Sequence, residues 1–329
     1  MKPLLVICAS VLVFIACSKG EQPEENRSKV VIDFGELETR TEVNGPNDMQ
    51  EFGVYGKMTN SSLYTELFTN ERIYRSDESV TGWTYDKTRY WINGRTYHFF
   101  GVYPYETNNE NRVQIATLKQ GNNEYDGFKI AFTTPVSADA DLLTAFKTVS
   151  ISNDAAYYSP VNMVFTHALS KVIIKVAKNS ANEFNKIMVT SVSLSGFKKS
   201  GMFHCSRETD YPAHWVTENE TMAVSYDNKN SELNTNGVNV LELLLVPQKV
   251  ADSNIKLTIK YSFYYVDGAF AYENTIERVI PTDHINEWKP NTNYVYSVNL
   301  SAESNDITFG TPSISEWGAA QSSGTIIIK

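Results

Sequence analysis

The chain has 329 residues, with 29 Lys and Arg against 38 Asp and Glu, a net charge of −9. An acidic chain without a basic tract or interleaved basic and aromatic residues excludes nucleic acid as a partner. Only 20% of residues are charged, while Tyr (19) and Phe (16) are abundant, a composition that suits pleated, half-buried strands. The first predicted element is Leu4 to Ala16, an apolar run behind Lys2 with Ser10 as its only polar side chain. A spanning helix needs about 20 apolar residues, so this shorter run predicts a signal peptide over residues 1–16.

Cys17 follows at once, and "FIAC" resembles a bacterial lipobox. Cleavage before Cys17 would leave its thiol and new amine to carry acyl chains. At about 0.8 kcal/mol per buried CH2, several chains hold a protein on a membrane durably. Residues 17–29 then read as an acidic, flexible leash containing Glu21, Glu24, Glu25 and Pro23. The acidic cluster resembles a surface-export signal of some outer-membrane lipoproteins, or is simply a solvated spacer. With Cys8 in the signal peptide and Cys17 acylated, Cys205 is left alone and no internal disulfide is expected.

Strands are predicted almost throughout the remainder. "KVVIDF" alternates, placing Val30, Ile32 and Phe34 on one face. "TRYWINGRTYHFFGVYPY" carries two apolar runs around Asn93-Gly94, a hairpin signal, and Asp126-Gly127 and Asp267-Gly268 predict further turns. "FKIAF", "LSKVIIKVA", "IMVTSVSLSGF", "VNVLELLLV", "IKLTIKYSFYYV" and "TNYVYSVNL" continue the pattern. Short helices are expected only at 139–147 and 181–186. Many short strands predict an all-β chain of two β-sandwich domains, residues 30–157 and 158–329, meeting near "SNDAAYYSP".

No motif of a hydrolase, metalloprotease, nucleotide-binding loop or dinucleotide fold is present, so no enzyme, cofactor or metal is expected. His204, Cys205 and His214 lack a fourth ligand and the close pairing zinc requires. Asp139 and Asp141 lack the calcium-loop pattern and suit a helix N-terminus. The aromatics Trp83, Tyr85, Tyr90, Trp91, Tyr97, Phe99, Phe100, Tyr103 and Tyr105 are expected in a core, with sugar stacking as the other use. His167 has no nucleophile at a catalytic spacing and is expected to be structural.

Several segments, taken in order, resemble the fimbrillin family of type V pilus subunits. They are "WTYDKTRYW" with "YHFFGVYPY", "TTPVSADADLL", "VFTHALSKVIIKV", "SVSLSGFKKSGMF", "LLLVPQK", "WKPNTNYVYSVNL" and "ITFGTPSISEWG". The resemblance implies two transthyretin-like β-sandwiches, lipoprotein export to the outer membrane and assembly into surface fimbriae. It also implies that an arginine-specific protease removes the first strand and that a related subunit refills the groove by strand addition. Here that cut falls between Arg40 and Thr41, releasing Val30, Ile32 and Phe34. The candidate donor strand is the terminal "SGTIIIK", with Thr325 and Ile327 facing one way and Ile326 and Ile328 the other; the 305–315 segment is the alternative. A non-polymerising surface lipoprotein that binds glycans or anchors a fimbria is the second reading.

Overall fold

The structure is a computed structural model that describes residues 27–35, 38–39, 49–60, 63–75, 83–106, 113–120, 123–138, 140–179, 185–206, 213–251, 253–301 and 306–317. Among them there are strands and no helix. In chain order they are β1 (Arg27–Val31), β2 (Glu38–Thr39), β3 (Glu51–Asn60), β4 (Leu63–Tyr74), β5 (Tyr90–Ile92), β6 (Thr96–Tyr103), β7 (Val113–Gln120), β8 (Asn123–Thr133) and β9 (Leu143–Ser150). Then follow β10 (Val164–His167), β11 (Ser170–Lys178), β12 (Lys186–Lys198), β13 (Ser200–Ser206), β14 (His214–Thr217), β15 (Thr221–Glu232), β16 (Val238–Leu245) and β17 (Gln248–Lys249). The last are β18 (Lys256–Tyr264), β19 (Phe270–Val279), β20 (Glu287–Trp288), β21 (Thr292–Ser301), β22 (Asp306–Phe309) and β23 (Ser313–Glu316).

The centre of the first sandwich is a six-stranded sheet in the order β2-β10-β9-β6-β3-β4. It is covered on both faces. That explains why "TYHFFGVY" reads as an unbroken apolar run instead of an alternating one. Tyr97 and Phe99 point to one core with Phe52, Phe68 and Phe165. Phe100 and Val102 point to another with Phe128, Ile130 and Phe203. The second face is covered by the sheet β14-β13-β8-β7. Its β13 lies far along the chain, yet it pairs antiparallel with β8 from Ser200↔Thr133 to Ser206↔Gly127. Residues on both sides of the 152–160 segment therefore share one sheet.

The second sandwich packs β16-β11-β21-β22, with β23 also on β21, against β15-β12-β18-β19. Here the period-2 signal is clean. Val172, Ile174 and Val176 of β11 face Val192, Leu194 and Leu257 across the core. Parallel pairing of β11 with β21 runs from Ser170↔Thr292 to Lys178↔Leu300 and fixes the centre of the first of these sheets.

Four local expectations change. Asn93-Gly94 does turn, with Gly94 at φ 69°, but the runs around it part. β5 pairs with β1, while β6 pairs with β3 and β9. Asp126-Gly127 lies inside β8, opposite Thr117 and Ala116 of β7, and makes no turn. The helix expected at 139–147 is instead strand β9 from Leu143, because Leu143 and Ala145 are buried against the six-stranded sheet's neighbours. Most of the 181–186 segment lies outside the described residues. Val30, expected to share a buried face with Ile32 and Phe34, is 44% exposed, whereas Ile32 is 0% and Phe34 1% exposed. The cause is a break of register between Arg27 and Val31, which pair with Ile92 and Tyr90. Four steps on β1 match two on β5, so the alternation is lost before Ile32. Asp267-Gly268 turns as expected between β18 and β19, with Gly268 at φ 84°.

Candidate functional site

The first buried segment of the chain makes the most informative contacts. Ile32 to Gly35 is held from both sides. The Ile32 amide donates to the Arg89 carbonyl at 2.9 Å, and the Tyr85 hydroxyl donates to the Ile32 carbonyl at 2.7 Å. On the other side the Val161 amide donates to the Asp33 carbonyl at 2.7 Å, and the Gly35 amide donates to the Val161 carbonyl at 3.2 Å. Phe34 thus bridges Trp83 antiparallel and Val161 parallel. The same parallel course continues as β2 beside Val164 and Phe165 of β10. This short stretch completes the edge of the six-stranded sheet and covers its end.

The side chain of Phe34 fills an aromatic cage. Its ring lies edge-on to Phe52 (6.2 Å between centroids), Phe68 (5.9 Å), Tyr85 (6.0 Å) and Phe99 (5.9 Å). Such edge-to-face pairs add to the area term of burial. Arg89 closes the rim, with Nε donating to the Leu67 carbonyl at 2.9 Å and its guanidinium over Phe68 at 5.5 Å. Gly35 is required where it stands. A Cβ there would lie 2.1 Å from Asn162 Oδ1 and 2.9 Å from Pro160 Cβ. The site therefore accepts an extended segment with Ile, a spacer, Phe and Gly in that order.

Burial holds the Tyr85 hydroxyl proton well beyond its ordinary range, raising its pKa from 10.0 to about 12, so it remains the donor to Ile32 at physiological pH. Burial also raises Tyr97 to about 12. Because the folded values exceed the unfolded one, the stability linked to these phenols is complete below pH 10 and is lost as pH rises from 10 to about 12. Ultraviolet difference titration is expected to show these two phenolates forming only above pH 10, together with loss of the first sandwich.

The other residues singled out from the sequence divide as follows. Trp83, Trp91, Tyr97, Phe99 and Phe100 are buried, and Tyr85, Tyr90, Tyr103 and Tyr105 are half-buried, so this aromatic group is mainly core. Asp141, expected at a helix start, stands before β9 instead. Its Oδ1 accepts from the Leu142 amide at 2.7 Å, and its Oδ2 lies 2.7 Å from His167 Nδ1. The latter is a close ion-pair contact, not a hydrogen bond. His167 is buried and stacks on Trp317 with ring centroids 3.4 Å apart. This group joins the first sandwich to the end of β23. His204 and His214 are directly paired across β13 and β14, with ring centroids 5.2 Å apart. Burial, then His214 and Lys129, lower the His204 pKa. Cys205, the next residue, packs against the core, and burial raises its thiol to about 11, so it stays protonated. Among the described residues no three His, Cys, Asp or Glu side chains converge as a metal site. Cys17, Arg40, Thr41, Asp139 and Thr325 to Ile328 lie outside the described residues.

Comparison with solved structures shows the same fold. A fimbrial protein of Bacteroides vulgatus is 19% identical, with a TM-score of 0.60, over 89% of this chain and 100% of that one. A candidate cell adhesion protein of Bacteroides uniformis is 14% identical, with a TM-score of 0.50, over 87% and 99% of the two chains. Another from Bacteroides ovatus is 16% identical, also at 0.50, over 88% and 99%. No curated protein matches the chain. A family model described as fimbrillin-like matches residues 39–317, which take in most of both sandwiches and begin after the caged segment Ile32 to Gly35. The chain belongs to the fimbrillin-like family.

Proposed function

We propose that this protein is a subunit of a bacterial surface fimbria, exported as a lipoprotein through Cys17, matured by an arginine-specific protease between Arg40 and Thr41, and assembled by strand donation. The observation that carries the reading is the caged segment Ile32–Gly35. It lies a few residues before Arg40, fills an aromatic site and covers the β10 edge. Ile32 and Phe34 contribute about 1.5–3 kcal/mol each by burial. Together that is roughly 3–6 kcal/mol, against about 5–15 kcal/mol for a whole domain. Val30 is largely exposed and adds little. Once cut, the released piece is held without a covalent tie, by these contacts, the hydrogen bonds of Ile32 to Gly35 and the pairing of β1 and β2. Its departure would leave the β10 edge and the Phe34 cage open, a state that a partner's strand relieves.

The chain contains a second segment with the side chains this groove accepts. Ile32-Asp33-Phe34-Gly35 recurs as Ile307-Thr308-Phe309-Gly310 in and after β22. Among the described residues β22 is an outer strand paired only with β21, through Val298↔Phe309 to Ser301↔Asp306. Gly310 has no local need to be glycine, since a Cβ there would meet nothing closer than 3.7 Å. At the position of Gly35 the same residue is needed. This match favours β22 of a neighbouring subunit as the donor, ahead of the terminal Thr325 to Ile328.

The test is to treat the purified chain with an arginine-specific protease and follow its size by chromatography and its new N-terminus by sequencing. A start at Thr41 with a ladder of higher oligomers is expected. A chain cut at Arg40 that stays monomeric, with residues 30–40 still bound, overturns strand donation. A cell-surface protein that keeps Cys17 as its first residue favours the anchoring lipoprotein role.

A further inference from the structure

A cleft of about 970 Å³ opens where the second sandwich meets the β13–β14 hairpin. Its volume is in the range of sites that hold small ligands, and such sites favour junctions of this kind. The floor is rigid. β17 and β20 pair Gln248 with Trp288 and Lys249 with Glu287. The buried Gln248 side chain accepts the Lys198 amide at 2.8 Å and donates to the Val246 carbonyl at 3.0 Å.

Three lysines line this cleft, Lys198, Lys249 and Lys289. The only carboxylate among the lining residues is Glu287. In a chain of net charge −9 this is a local excess of positive charge. Elsewhere in the second sandwich, several lysines are neutralised at close range. Lys171, Lys256 and Lys260 each lie 2.5–2.7 Å from a glutamate. Among the described residues, none of the three cleft lysines has a carboxylate within ion-pair distance. The Lys198 ammonium donates to the Asn219 carbonyl at 3.5 Å.

The remaining wall is chemically mixed. Trp215 is half-buried, pinned by its indole N–H to the Ala168 carbonyl at 2.7 Å and by Phe203 at 5.3 Å. Asn219 and Asn254 also line the cleft. A fixed indole, amides that both donate and accept, and unpaired ammonium groups match a ligand with apolar ring faces, many hydroxyls and a negative charge. A run of acidic residues would use the lysines alone, whereas the flat indole face suits a sugar ring. We infer that this cleft binds an acidic saccharide bearing a carboxylate, with Lys249 and Lys289 holding the carboxylate and Trp215 packing on a sugar ring.

The inference concerns the junction of the second sandwich with the β13–β14 hairpin and does not rest on cleavage at Arg40. Calorimetric titration of the full chain with sialyllactose, lactose and a hexaglutamate peptide tests it. Sialyllactose is expected to bind, with lactose and the peptide at least about tenfold weaker, and rising salt is expected to weaken it. Lys249→Gln and Lys289→Gln are each expected to lower affinity about tenfold, the effect of one charge-assisted hydrogen bond. Lys260→Gln, a change at a half-buried lysine outside the cleft, should leave it unaltered. Both cleft lysines are exposed, so the thermal transition should stay within a few degrees and report intact folding. Equal binding of lactose, equal or tighter binding of hexaglutamate, absence of saccharide binding, or indifference to both substitutions overturns the assignment.

Discussion

Phe34→Ala is expected to destabilise the first sandwich by about 3–5 kcal/mol while leaving the second intact. The size follows from the cage. Four aromatic rings converge on Phe34 with centroids at 5.9–6.2 Å, and its side chain is 1% exposed. Three of these rings stand on separate strands of one packed sheet, β3, β4 and β6, and close poorly over a void, so the loss should lie high in the usual range for Phe→Ala. Val30→Ala, at a position 44% exposed, is expected to cost less than about 0.5 kcal/mol. Hydrogen exchange resolves the two sandwiches. Amides of β3 and β6 should lose about two to three orders of magnitude of protection in Phe34→Ala, and amides of β12 and β18 should not change. Equal effects of the two substitutions would mean that the first strand is not a structural part of the sandwich. Stability would then give no reason for its removal to drive assembly.

The contrast between Val30 and Phe34 shows how far local pattern carries. Alternation identified the strand and its two deepest residues, because side chains two apart share a face. It misplaced Val30 because a register break against β5 shifts the phase, and a bulge leaves no mark in composition. Asn93-Gly94 announced a turn, since its backbone requirement is local. Which strands the flanking runs join is decided elsewhere, by β1 on one side and β3 and β9 on the other. Leu142-Leu143 through Phe146 has the residues of a helix, and burial in the sheet overrides that preference. The addition of β13 to β8 is a pairing between residues about 70 apart, roughly the distance over which periodicity says nothing. The buried contacts of His167 with Asp141 and Trp317 join three segments and were equally invisible. The groove itself was partly legible. Ile32, Phe34 and their glycine stand in plain view, but the recurrence of that pattern at Ile307 to Gly310 gains meaning only once Gly35 is seen pressed against Asn162 and Pro160.

Gly310→Val is expected to abolish polymerisation of the cut protein without harming the monomer. In the monomer a Cβ at residue 310 has its nearest neighbours at 3.7 and 3.8 Å, both on Ser297, an ordinary contact distance. The backbone there does not have the left-handed φ that would penalise a side chain, so valine should cost little. If Ile307-Thr308-Phe309-Gly310 of one subunit takes the place of Ile32-Asp33-Phe34-Gly35 in the next, residue 310 arrives where a Cβ lies 2.1 Å from Asn162 Oδ1 and 2.9 Å from Pro160 Cβ. The Asn162 amide can rotate away, but the proline ring cannot, and the branched valine adds two more carbons. Seating Phe309 in the cage would then be prevented. Size chromatography of protease-cut material should show monomer at all concentrations, against a ladder for the parent chain. Deletion of 323–329, in contrast, should leave the ladder in place, because the segment that fits the groove is retained. The reverse pattern, polymers in Gly310→Val and none in the deletion, would move the donor to Thr325 to Ile328. The caged glycine would then be a property of the acceptor alone.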